Sequence, residues 1–146
     1  MWPDADDFVW GADVPEPASW DKPGLVMFFN LECPACVSRG VPFLKKLARA
    51  FASKLVILMI HTSYSHKHYT RDEVVPTLLH FADSFAAISF PTALDLDGKI
   101  AESWGVEGTP HWLVFRSGGA LLRSIYGSQE NAQTRLEYLL GEVTGD

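Results

Sequence analysis

The order of apolar and polar segments predicts a sheet covered by helices. Leu25–Leu31 and Leu55–His61 are apolar without alternation, which is typical of central strands that are buried on both faces. Between them, apolar residues at helical spacing predict a helix from about Pro34 to Ser53. Arg71–Phe85 repeats that spacing after a polar loop at 64–70. The first two strands, joined by a helix, should therefore run parallel.

The last third of the chain predicts a short strand, a short helix, a hairpin and a final helix. In this part of the chain, glycines lie between two apolar segments, which is typical of a hairpin turn. Ser128 is a candidate N-cap for the last helix. The hairpin adds antiparallel strands, so the predicted fold class is α/β, a three-layer arrangement with a mixed central sheet and helices on both faces. The predicted elements are Phe90–Leu94, Lys99–Trp104, His111–Phe115, Leu121–Tyr126 and Asn131–Leu140.

Residues 1–24 differ in character from the rest. They contain four prolines and several acidic residues, which predicts an extended lead-in to a single domain at 25–146. Phe8–Trp10 is apolar and predicts a short edge strand. We expect Trp2, Trp10 and Trp20 to pack this segment onto the sheet, with a partner surface as the alternative.

Charge and composition exclude several functional classes. The net charge is −6 and the basic residues are scattered, which disfavours binding to nucleic acid or an anionic membrane. Both long apolar runs are shorter than the ~20 residues of a membrane span. Met1–Asp7 is acidic and lacks signal-peptide features. We therefore expect a cytoplasmic monomer, or a periplasmic or extracytoplasmic protein if a leader has been removed.

The two cysteines of the chain lie three residues apart in Cys33-Pro34-Ala35-Cys36, between a predicted strand and a predicted helix. Free backbone N–H groups at a helix start stabilise a thiolate, so Cys33 is a candidate nucleophile. Cys36, one turn later, can then resolve a mixed disulfide. The spacing and its context predict dithiol redox chemistry.

Two alternatives to redox chemistry remain open at this point. The pair can supply half of a zinc site, but no second cysteine pair exists and the histidines do not show the usual spacing. The thiols can also be inert core residues. We expect no metal. The histidines concerned are His61, His66, His68, His80 and His111.

Residues 28–36, with Pro-Phe-Leu-Lys-Lys-Leu-Ala at 42–48, resemble the active-site segment of thioredoxin-like proteins. The similarity is greatest to the thiol-disulfide oxidoreductases of the cytochrome-maturation and peroxiredoxin-like branch. Trp104–Pro110, directly before a predicted strand, is a second match in the expected order. The resemblance implies a cis bond before Pro110, next to the disulfide, and a substrate groove formed by Pro34, Ala35, Thr109 and Pro110.

By the same resemblance, the chain is expected to be an enzyme that exchanges disulfides with protein substrates and serves cell redox homeostasis. Its electrons would come from an upstream reductase, and it would need no cofactor beyond the Cys33–Cys36 disulfide. A cytoplasmic setting favours a reductant over an oxidant.

The chain departs from thioredoxins at several positions near the motif. Phe29 and Glu32 stand where tryptophans are usual, and Met27 stands where a buried aspartate assists proton transfer. Arg39 stands where the cytochrome-maturation branch often has a glutamate. Pro42 comes one residue later than usual, which predicts a bulge and a kink in the first helix.

These departures bear on reactivity and on rival functions. Glu32 should oppose a thiolate at Cys33, whereas Arg39 should favour one. His61 and His111 are either proton relays near the thiols or strand-end histidines with structural hydrogen bonds.

The missing aspartate and tryptophans motivate a non-catalytic binding module as an alternative function. A peroxidase would need a threonine at the position that Asn30 occupies in this chain.

Overall fold

The computed structural model describes residues 1–145, except for the side chains of Ala52 and Phe85. Within these residues the strands form one mixed sheet in the order β1-β4-β3-β2-β5-β6. β2 pairs parallel with β3, and β3 with β4, while the other neighbours are antiparallel. The predicted α/β class and mixed sheet are confirmed. The strands are β1 Phe8–Trp10, β2 Gly24–Phe29, β3 Val56–Thr62, β4 Thr92–Asp95, β5 His111–Phe115 and β6 Leu121–Tyr126.

Four α-helices connect and cover these strands in the described part of the chain. The predicted bulge in the first helix is confirmed, because a π-helical turn at Cys36–Gly40 directly precedes α1. A second π-helical turn, Ala82–Ala86, extends α2 to about the predicted end, although the side chain of Phe85 lies outside the described residues. The helices are α1 Val41–Phe51, α2 Arg71–Phe81, α3 Lys99–Ser103 and α4 Glu130–Val143.

The side chains of β2 alternate between two apolar cores, one on each face of the sheet. Leu25, Met27 and Phe29 face a cluster that includes residues of α1, α2 and α4. Val26 and Phe28 face the opposite cluster, which includes residues of α3 and the N-terminal segment. Both faces of β2 are therefore covered, as its continuous apolar sequence predicts.

The N-terminal segment has the predicted edge strand, which is confirmed, and short turns in addition to the predicted extended lead-in. It contains β1, which pairs with β4 at the edge of the sheet, and two 3₁₀ turns at Ala5–Asp7 and Pro17–Ser19. The prediction that its tryptophans pack is confirmed. Trp20 is buried and meets Phe115 edge-on at a ring distance of 5.3 Å, and Trp2 packs against Trp20 at 5.8 Å.

One local prediction is wrong. Ser128 is not the cap of α4, because the N-cap residue is Gln129 and its side chain makes no capping hydrogen bond. Ser128 is buried, and its hydroxyl instead donates to the carbonyl of Ala35 at 3.4 Å. A local capping pattern cannot reveal this contact, since the partner lies 93 residues earlier in the chain.

Candidate dithiol active site

Asn30 shapes the turn that carries the first cysteine. β2 ends at Phe29, and the fully buried Asn30 side chain donates to the carbonyl of Thr62 at 2.9 Å. Its Oδ1 accepts from the backbone N–H of Glu32 at 2.8 Å, while its own carbonyl accepts from the N–H of Cys33 at 3.0 Å. These bonds fix the short connection between the sheet and the helix start.

The two cysteines are free thiols with unequal access to solvent. Cys33 is 7% exposed, whereas Cys36 is completely buried. The backbone N–H of Cys36 donates to the Sγ of Cys33 at 3.2 Å, so the helix start supplies a hydrogen bond to the first sulfur, as its placement predicts. Burial raises the pKa of the Cys36 thiol, and the neighbouring Cys33 side chain adds to that rise. The geometry fits an outer nucleophile and an inner resolving thiol.

The segment before β5 closes over this pair. The Thr109–Pro110 bond is cis, as the resemblance implies, and the Sγ of Cys33 donates to the Thr109 carbonyl at 3.6 Å. Gly40 lies under Pro110, since an added Cβ would stand 3.5 Å from the Pro110 Cβ and 3.4 Å from the Met27 Sδ. The π-helical turn and the proline loop therefore meet at close range beside the thiols.

The remaining predicted groove and modulator residues lie around this centre. Pro34, Ala35 and Arg39 are exposed on the first turns of the helix. Glu32 is also exposed, and its carboxylate lies 4.0 Å from the ammonium of Lys67. This cation offsets the negative charge that Glu32 places beside Cys33, a contact that the sequence did not reveal.

Both histidines make hydrogen bonds of the kind that the structural alternative predicts. His61 is buried at the end of β3, where its Nε2 accepts from the N–H of Leu31 at 3.3 Å, and burial lowers its pKa to about 4. His111 is buried on β5, bonds through Nε2 to the hydroxyl of Ser124, and has a pKa lowered by burial. Their ring hydrogen bonds go to the backbone and to a serine rather than to a thiol.

The described residues offer no group of three or more His, Cys, Asp or Glu side chains placed to hold a metal ion. Asp95 accepts hydrogen bonds from the N–H groups of Ile100 and Ala101 at the start of α3. No helix within residues 1–145 is long and apolar enough to cross a membrane.

The sequence matches no family model and no curated protein. Solved structures match it closely in backbone. A thiol-disulfide isomerase from Corynebacterium glutamicum has a TM-score of 0.81 at 23% identity, covering 100% of this chain and 96% of its own. A thioredoxin-like superfamily protein has a TM-score of 0.78 at 23% identity, and the match covers 95% of this chain and 90% of that protein. A thiol:disulfide interchange protein, DsbE, from Chlorobium tepidum has a TM-score of 0.72 at 17% identity, and the match covers 86% of this chain and 82% of that protein.

The chain has the thioredoxin-like fold. Within this fold the position of the usual buried aspartate is filled by Met27, which is completely buried in the apolar cluster that contains both cysteines. This environment disfavours a charged sulfur at Cys36. Met27 offers no carboxylate to the Cys36 thiol at that position.

Sequence reasoning missed a contact that ties the thioredoxin-like proline loop to a different part of the chain. His66 bonds through Nε2 to the Thr109 hydroxyl at 2.9 Å. The two residues lie 43 positions apart, and His66 sits in a polar loop whose sequence indicates only solvated side chains. Only the placement of the loop beside the proline segment, a property of the whole fold, brings them together.

Proposed function

We propose that this chain is a protein thiol-disulfide oxidoreductase in which Cys33 attacks and Cys36 resolves. The observation that carries the proposal is the position of the Cys33 sulfur, 3.2 Å from the Cys36 N–H and 3.6 Å from the Thr109 carbonyl. A nucleophile in that position has a backbone donor on one side. On the other side it has the carbonyl of Thr109, in the segment that we expect to pair with an extended peptide.

The reaction balances with the two thiols alone. The Cys33 thiolate attacks one sulfur of a substrate disulfide, forming a mixed disulfide and releasing the other substrate sulfur as a thiolate. Cys36 then loses its proton and attacks the Cys33 sulfur, which expels the second substrate thiolate. The substrate is reduced by two electrons, and the protein is left with a Cys33–Cys36 disulfide.

The groove for the substrate is proposed to include Pro34, Ala35, Thr109 and Pro110. The exposure of Pro34 and Ala35, and the place of Thr109 beside the sulfur, support this assignment. Net reduction of substrates requires an upstream reductase to return electrons to the disulfide and no further cofactor. As a reductant the protein would work in the cytoplasm, since a reducing compartment keeps the dithiol available.

An insulin-reduction assay tests the proposal. We expect turnover by the wild-type protein and none by Cys33→Ser, because the attacking sulfur is lost. Cys36→Ser should instead accumulate mixed disulfides with its substrates, since the resolving step is blocked. Insulin reduction by Cys33→Ser at the wild-type rate would rule out the proposed mechanism.

A non-catalytic binding module is the second candidate, and the apolar surroundings of Cys36 favour it. Met27 stands in place of an acid and burial raises the Cys36 pKa, so we expect a slower resolving step than in a site with a carboxylate. A redox titration of the pair against glutathione separates the two functions, because a module needs no reversible couple. A peroxidase is less well supported, since Asn30 provides no hydroxyl at the position where that chemistry needs a threonine.

A further inference from the structure

The loop at 63–70 borders the thiol site on two sides. At one end of the site, the hydroxyl of Ser65 donates to the carbonyl of Glu107 at 3.0 Å, and His66 bonds to Thr109. At the other end, Lys67 lies 4.0 Å from Glu32, the residue directly before Cys33. One loop thus contacts both the proline segment and the cysteine turn, which are separated by more than 70 residues in the sequence.

The base of this loop is held in a defined shape. The N–H of Tyr64 donates to the hydroxyl of Thr62, which itself donates to the buried carboxylate of Asp95 at 2.8 Å. The N–H of His66 donates to the carbonyl of Ser63 at 2.9 Å, and Ser65 adopts a φ of 67°, which is unusual for a residue other than glycine. The imidazole is therefore carried on an ordered turn.

We propose that the loop positions the substrate-binding edge and that His66 is its positioning residue. This inference rests on the proposed function, because it concerns how that site holds a protein substrate. The backbone of Thr109 lies next to the Cys33 sulfur, and its side chain is anchored by the imidazole. Anchoring the side chain limits the movement of the backbone groups that pair with an extended peptide, so less ordering is needed when the substrate binds.

The imidazole acts on binding and leaves the thiol chemistry alone. Its bond goes to the Thr109 hydroxyl, whereas the Cys33 sulfur bonds to the Cys36 N–H and to the Thr109 carbonyl. A small disulfide that makes no backbone pairing should therefore react with a His66 variant as it does with the wild type. A protein disulfide should react less well with the His66 variant than with the wild type.

Steady-state kinetics with two disulfides test this role. For His66→Ala we expect the KM for insulin to rise about fivefold with little change in kcat, the effect of losing one hydrogen bond. The rate with 5,5′-dithiobis(2-nitrobenzoate) should stay at the wild-type value. His66→Gln, whose amide reaches as far as Nε2, should restore most of the KM. His68→Ala, an exposed histidine of the same loop, is the matched control.

Hydrogen exchange gives a readout that does not depend on turnover. Amides of segment 105–111 should exchange faster in His66→Ala than in His68→Ala, because the anchor is lost. The positioning role would be overturned if exchange in this segment or the KM for insulin did not change in His66→Ala. It would also be overturned if the variant lost the same fraction of its activity with both disulfides. If Cys33→Ser still reduced insulin normally, the proposed function would fail instead, and the exchange comparison would still decide whether His66 holds the loop.

Discussion

Replacing Asn30 with alanine removes two hydrogen bonds from a fully buried side chain. One is the bond to the Thr62 carbonyl at 2.9 Å, and the other is accepted from the Glu32 N–H at 2.8 Å. Each bond contributes about 1 kcal/mol net, and a buried group left without a partner costs about 1–3 kcal/mol. Thr62 is itself completely buried, so water cannot replace the lost donor without entering the core. We expect the free energy of unfolding to fall by roughly 3 kcal/mol.

Urea unfolding followed by tryptophan fluorescence measures this loss. With a slope of about 2 kcal/mol per molar urea, the midpoint should fall by about 1.5 M with little change in slope. Asn131→Ala is the matched control, because that exposed side chain accepts a hydrogen bond from the N–H of the next residue and is not buried in the core. The control should change stability by less than about 0.5 kcal/mol. Equal midpoints for the two variants would refute the reasoning.

Two further predictions concern pH and helix capping. Because burial lowers the pKa of His61 to about 4, the unfolded chain takes up the proton first as the pH falls. The His61 contribution to the free energy of unfolding should therefore be complete above pH 6.5 and fall by about 3 kcal/mol toward pH 4. Urea titrations at several pH values measure this decline, which should be weaker in His61→Phe. Gln129→Ser should raise the thermal unfolding midpoint by adding a cap worth about 1 kcal/mol, whereas Ser128→Ala should not.

The sequence predicted the parts of the fold that depend on local pattern. The hairpin strands His111–Phe115 and Leu121–Tyr126 match the structure because two apolar segments around a glycine turn are a local signal. The bulge followed from the displaced Pro42, since one extra residue must be absorbed before a helix can resume. The strand ends differ by one or two residues, as at Phe29, where the side chain of Asn30 begins the turn.

The candidate site was predictable where spacing encodes it and not where loops meet. Cys33 and Cys36 follow from a strand, a turn and a helix start, and Thr109-Pro110 from a second motif. The contacts of His66 and Lys67 depend on where a polar loop packs, and neither side chain belongs to a periodic pattern. Such contacts become visible only when the sheet order brings distant segments to one edge.

The pairing of β1 with β4 has a practical consequence for any shortened form of the protein. A chain starting at residue 25 would leave the backbone of Thr92 and Ala93 without its outer partner strand. It would also remove Trp20, whose ring packs edge-on against Phe115. Unprotected strands of this kind recruit other chains. Trimming to the thioredoxin-like segment would therefore yield a protein that aggregates as its concentration rises.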